Sequence, residues 1–324
     1  MKRVWLKRLV YGCHSKMPRI QIISDLHGEA RGSKCSDGHL AALVTPHDGA
    51  SILVVAGDVG RAGSSWMRAF LAYCAARWAH VVVIRGNHDF FATRSWRAWK
   101  YAPPATPCEL LQTLRADAAA AGANVHVLER ETVELDGVTF LGAPCWTHVP
   151  RLDEFDVATR MTDYRMIAVL EQGTVRPAVV ADTNAWHARD LAWLASTAAA
   201  TPGPLVVVTH HQPLFNHAAI TPPRYLGCSI NSAFGCNATL RAVASTRGDV
   251  RLWICGHSHA AGRADARGIA VVCNAAGHPS ERTGYSPRLV FDTDGGGGVR
   301  PVSPPPLPPA DARADSADEA IEFL

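Results

Sequence analysis

Short β-branched apolar runs recur at residues 19–23, 51–56, 80–84, 204–208, 250–254 and 269–273, and helix-like segments separate them. This alternation in kind predicts an α/β chain with strands of ordinary length. One helix is predicted over Ser64 to Trp78, capped by the serine and presenting Met67, Phe70, Leu71, Cys74 and Trp78 on one face. A second is predicted over Asp182 to Thr197, carrying Trp186, Leu191 and Leu194. Asp136-Gly137 between the runs 132–135 and 138–141 reads as a tight hairpin turn. The stretch from Cys145 to Val180 shows no clear period, and loops of that length are often functional, so a lid is expected there.

With 324 residues, 48% of them hydrophobic and 19% charged, the chain is long enough to bury a large core, which excludes disorder throughout. Its apolar runs fall far short of the roughly 20 residues of a spanning helix, so no membrane span is expected. Lys2, Arg3, Lys7, Arg8 and Lys16 make residues 1–16 a basic extension without an acid. At the other end, residues 293–324 combine Gly295 to Gly298, the prolines of 304–309 and an acidic segment into an expected flexible tail, leaving 17–292 as the domain. The net charge is only +3, and the middle of the chain is nearly neutral, which gives a nucleic-acid-coating surface no support. The nine cysteines are scattered, without Cys-x-x-Cys, and read as reduced thiols packed as small hydrophobes in a reducing, cytoplasmic compartment.

Five polar clusters stand where five of the apolar runs end: Asp25-Leu26-His27, Gly57-Asp58, Gly86-Asn87-His88-Asp89, His210-His211 and Gly256-His257-Ser258-His259. In open α/β sheets, ligands bind beyond the carboxyl ends of the strands. Asp25 and His27 are two apart, as are His257 and His259, so extended backbone would point each pair to one side. The glycines allow a close backbone approach or a sharp exit from the strand. Carboxylate, imidazole and amide oxygens without thiolate suit manganese, iron or zinc. The remaining histidines, His187 and His278 among them, read as ordinary core or surface residues.

The series Ser24-Asp25-Leu26-His27, Ala56-Gly57-Asp58, Gly86-Asn87-His88-Asp89, Thr209-His210-His211 and Gly256-His257-Ser258-His259 resembles the calcineurin-like metallophosphoesterase superfamily, from about Ile20 to Asp292. The resemblance implies an α/β fold of four layers, two mixed β-sheets face to face flanked by helices. It also implies a centre for two divalent ions, with Asp25, His27, Asp58 and His259 around the first and Asp58, Asn87, His210 and His257 around the second. His88 would then be the general acid, oriented by Asp25, and a hydroxide activated by both ions would attack a phosphomonoester or phosphodiester. His210 is preferred to His211 as ligand because it directly follows the strand. His211 and Arg165 are candidate contacts to a small phosphoester substrate. The alternatives are a nuclease of the same superfamily, which would want a basic channel, and a non-catalytic scaffold of the same fold, against which the intact ligand set argues.

Overall fold

Consecutive apolar side chains such as those of Ile52-Leu53-Val54-Val55-Ala56 are all buried, and a strand can bury successive residues only when both of its faces are covered. The computed structural model describes residues 18–32, 35–92, 96–99, 103–294 and 298–301. In chain order its elements are β1 (Arg19–Ile23), α1 (Asp37–Leu43), β2 (Ile52–Ala56), α2 (Ser65–Ala75), β3 (His80–Ile84), α3 (Pro107–Ala121), β4 (Val125–Val127), β5 (Glu131–Leu135) and β6 (Val138–Gly142). There follow α4 (Glu154–Arg160), α5 (Asp163–Met166), β7 (Ala168–Glu171), β8 (Thr174–Pro177), α6 (Val180–Ala200), β9 (Pro204–Val208) and α7 (Asn237–Ala244). The last are β10 (Asp249–Cys255), β11 (Ala261–Ala266), β12 (Ile269–Asn274), β13 (Val290–Asp294) and β14 (Gly298–Pro301).

Two six-stranded mixed sheets form, ordered β14-β13-β1-β2-β3-β4 and β11-β12-β10-β9-β6-β5. The central strands of each run parallel: β1, β2, β3 and β4 in one, β6, β9, β10 and β12 in the other. Alternation along the strands builds three layers of core. Ile20, Ile22, Ile52, Val54, Val82 and Ile84 face Phe140, Val206, Val208, Leu252 and Ile254 between the sheets. Their neighbours Ile23, Leu53, Val55 and Val83 pack outward on Met67, Phe70, Leu71 and Cys74 of α2. On the far side Leu205, Val207 and Trp253 meet Leu194 of α6 and Leu240 of α7. Helix, sheet, sheet, helix is the four-layer arrangement that the resemblance implied.

The expected helices differ from the observed ones at their ends. Ser64 does cap α2, its hydroxyl accepting the Met67 N–H at 3.0 Å, but the helix stops at Ala75 and Trp78 is buried from the loop beyond it. Helix α6 starts earlier and runs longer than Asp182 to Thr197, because the alanines 198–200 continue it. Asp182 sits in its first turn, accepts the Val179 N–H at 2.8 Å and pairs with Arg176.

Two expectations are corrected. The stretch 145–180 is not structureless, since it folds into α4, α5 and the β7–β8 hairpin. Each piece is too short to show a period, which is why the sequence pattern missed them. It is tied to the loop after β3 by the Phe91–Ile167 bridge and by the Ala92 N–H on the Met166 carbonyl at 2.8 Å. The tail does not begin at 293 either, because β13 reaches Asp294 and pairs with β14. The basic extension 1–16 and the proline-rich segment lie outside the described residues.

Candidate metal centre

All five polar clusters converge at the carboxyl ends of the parallel strands, and the backbone that carries them is not extended. Asp25, His27, Asp58, His257 and His259 have φ values of 55°, 45°, 53°, 72° and 51°. Non-glycine residues in this left-handed region cost on the order of 1–3 kcal/mol each and gather where surrounding structure enforces them. The shared direction of each i, i+2 pair thus comes from tight turns rather than from strand alternation. Those turns are fixed by a ladder that outlives the strands: the Asp25 N–H bonds to the Gly57 carbonyl at 2.9 Å, and the His27 N–H to that of Asp58 at 3.0 Å. Gly57, with φ of 89°, lets β2 turn against His210, where a Cβ would stand 2.5 Å from Nδ1.

Asp58 lies between two groups of donors. On one side Asp25, His27 and Asp58 place ligand atoms within 4.8 Å of one another, and on the other Asp58, His210 and His257 do the same. His27 Nε2 and His259 Nε2 face each other at 2.9 Å, and His259 Nε2 lies 3.6 Å from Asp25 Oδ1. Across Asp58, His210 Nε2 is 3.3 Å from Asp58 Oδ2 and 3.1 Å from Asn87 Oδ1, while its Nδ1–H donates to the Ala56 carbonyl at 2.8 Å. His257 Nε2 is buried without a hydrogen-bond partner. An orphaned imidazole nitrogen, paired acceptors at ligand-like separations and a shared carboxylate are what a divalent ion would satisfy, so the residues fit such ions.

Burial sets the protonation of these rings in the metal-free chain. It drives His27 down to about 3, and His257 well below the ordinary imidazole range, leaving both neutral as ligation requires. Burial opposes charge on His210 and His88 too, but the Asp58 carboxylate outweighs it and holds them at about 10 and about 9.

His211 is buried rather than a surface residue. Its ring packs 4.3 Å from that of His257 and 4.8 Å from that of Trp146, so it walls the second group. Arg165 is turned back on its own segment, donating to the Thr159 carbonyl at 2.9 Å and to the Thr162 hydroxyl, with no residue of the centre among its hydrogen-bond partners. His88 borders the first group, its ring 4.6 Å from that of His27 and stacked on Phe91, and its N–H donates to Asp58 Oδ1 at 2.9 Å. Asp25 does not orient it: both Asp25 oxygens accept the His257 N–H, at 3.0 and 3.2 Å. The carboxylate beside His88 belongs to Glu29, at 3.3 Å from Nδ1.

The roles of several residues here were missed from sequence. Glu281 bonds to His259 Nδ1 at 2.5 Å and accepts the His278 N–H at 2.7 Å. His278, read as ordinary, stacks on His27 at 4.2 Å and shares a possible ligand group with His27 and His259. Asp89 accepts N–H bonds from Asp58 and Gly86 at 3.0 and 2.7 Å and so staples two of the loops together. Asp163, on α5, is 2% exposed, with neither carboxylate oxygen in good hydrogen-bond geometry. Burial pushes it up to about 6, against the pull of the nearby His88 and the Asn87 amide. The only trace of Glu29 and Glu281 in the sequence is a carboxylate two or three residues after a loop histidine, which is too common a spacing to single out.

Two mixed sheets in a four-layer arrangement, with buried His/Asp clusters at their strand ends, are what these elements define. Residues 18–261 match the calcineurin-like phosphoesterase family, and the chain belongs to it. Members of that family are metal-dependent hydrolases of phosphoesters. The chain is also similar to the uncharacterized protein L509 of Acanthamoeba polyphaga mimivirus, 22% identical over 285 residues, which cover 85% of this chain and 96% of that one. Among solved structures it resembles phosphopantetheinyl hydrolase (PptH) from Mycobacterium tuberculosis, with a TM-score of 0.56, 18% identity, and coverage of 92% of this chain and 100% of that one. A dimetal phosphatase from Danio rerio aligns with a TM-score of 0.47 at 13% identity, over 86% of this chain and 93% of that one. Among the described residues no helix is long and apolar enough to cross a membrane.

Proposed function

We propose that this protein hydrolyses small phosphomonoesters or phosphodiesters at a centre of two divalent ions, manganese, iron or zinc, with His88 as general acid. The observation that carries this reading is the position of Asp58 between two donor groups. Asp25, His27 and His259 would hold one ion, and Asn87, His210 and His257 the other, with Asp58 shared. When bound, such ions supply Lewis acidity toward the phosphoryl oxygens and activate water as the nucleophile.

The chain's own residues do the rest. Neutral His27 and His257 present lone pairs without first having to lose a proton. Asp58 and Asp25 offset part of the ionic charge and leave the centre net positive toward an anionic ester. His88 is raised toward its protonated form and its side chain is 18% exposed, so it can hand a proton to a departing alkoxide. His211, packed on His257, lines the side where a substrate would rest.

The test is turnover of the metal-reconstituted protein on a panel of mono- and diesters, with elemental analysis of the same sample. Hydrolysis of a small ester with two ions per chain is expected. A fully loaded protein that hydrolyses none of them would overturn the reading.

A further inference from the structure

One oxygen of Glu29 serves two rings. Oε1 lies 3.0 Å from His27 Nδ1 and 3.3 Å from His88 Nδ1, while the two rings meet edge to face at 4.6 Å. A carboxylate has only acceptors, so both contacts require that each Nδ1 carry the proton. That choice leaves Nε2 of both rings for chemistry. In His27 this atom is the one facing His259 in the first donor group, and in His88 it is the one left for a leaving group.

The other carboxylates nearby do not compete for this task. Asp25 is engaged by the His257 N–H, Asp58 Oδ1 takes the backbone rather than the ring of His88, and Asp163 makes no hydrogen bond to His88. Glu29 itself stands on the short turn Gly28–Ala30 directly after the first cluster. Gly28 fixes that turn by donating its N–H to the Val59 carbonyl at 2.8 Å. The turn also abuts the indole of Trp66 on α2, which a Cβ at Gly28 would overlap at 2.4 Å. The carboxylate is therefore carried by a turn braced on both sides.

We propose that Glu29 is a positioning residue which couples the acid to the first metal site, holding His27 for ligation and His88 for proton donation through the same oxygen. This rests on the reading of His88 as general acid. Loading the first site fixes the His27 ring, the His27 ring fixes Glu29, and Glu29 fixes the acid. Removing the carboxylate loosens both ends of that chain at once.

The experiment compares wild type, Glu29→Gln and Glu29→Asp on an alkyl phosphoester and a nitrophenyl phosphoester at saturating metal, with metal affinity measured separately. Outer partners of ligating histidines are commonly worth about 10–100-fold in metal affinity. Glu29→Gln should need that much more metal to load its first ion. At saturation it should slow the alkyl ester at least about tenfold more than the nitrophenyl ester, because only the former depends on the acid. Glu29→Asp, which keeps the charge, should recover part of both losses. A weaker metal site with an unchanged ratio of the two esters overturns the coupling, since Glu29 would then serve His27 alone.

A measurement independent of turnover uses nitrogen-15 spectra of the imidazoles. In wild type both His27 and His88 should carry the proton on Nδ1, and both signals should move in Glu29→Gln. Movement of only one overturns the proposal. Wild type that hydrolyses neither ester would remove the functional reading, while the spectra would still decide whether Glu29 links the rings.

Discussion

A Cβ added to Gly86 would stand 2.1 Å from Oδ1 of Asp58 and 2.6 Å from the ring of His210. The glycine after β3 is thus the space into which the shared carboxylate fits. Gly86→Ala should destabilise the fold by about 1–3 kcal/mol, the usual cost of overpacking, and displace Asp58 from both donor groups. Thermal unfolding and metal content check it together. An alanine variant with normal melting and full loading would show that Asp58 has room to retreat.

Asp58→Asn should weaken both sites rather than one, because this carboxylate belongs to both donor groups. Elemental analysis after dialysis against limiting metal should give fewer than one ion per chain. Loss of a single ion would place Asp58 in one site only.

His88→Ala should keep both ions, since neither of the two donor groups that share Asp58 includes it. It should slow an alkyl phosphoester by about 10²–10⁴-fold, the range of general acid catalysis, and a nitrophenyl ester far less. Equal losses on both esters, with falling metal content, would make His88 a structural prop.

The metal-free chain should lose stability as pH rises from about 7 to 10. Asp58 holds His88 at about 9 and His210 at about 10 in the fold, against about 6.5 for the free side chain. A raised pKa contributes stability that is complete below the unfolded value and is lost as pH climbs through the folded one. Melting temperatures in chelator across this window measure the slope. Burial pulls both rings down and Asp58 is the largest upward pull on each, so Asp58→Asn should flatten the slope.

Asp163→Asn should leave stability unchanged or raised while turnover falls about tenfold or more. A buried carboxyl in poor hydrogen-bond geometry is costly to the fold, and residues kept at such cost commonly serve activity. Here the carboxylate faces Asn87 and His88. A marked drop in melting temperature would show that Asp163 instead holds α5 in place.

The sequence by itself determined the buried central strands and the order of the polar clusters that follow them, because a strand buried on both faces writes itself as an unbroken apolar run and its exit as a turn residue. It determined too that Asp25, His27, Asp58, Asn87, His210, His257 and His259 would stand at strand ends, and the structure brings these seven together. Only the tertiary structure decided which carboxylate faces His88. That pairing joins the turn after β1 to the loop after β3, 59 residues apart, and no local pattern encodes it. The same holds for His278, delivered by the loop after β12, and for Asp163, delivered by a four-residue helix inside a stretch that showed no period. Local periodicity reports which face of an element is buried. The neighbours of a loop side chain depend on how distant loops pack, and that is settled only once both sheets are closed against each other.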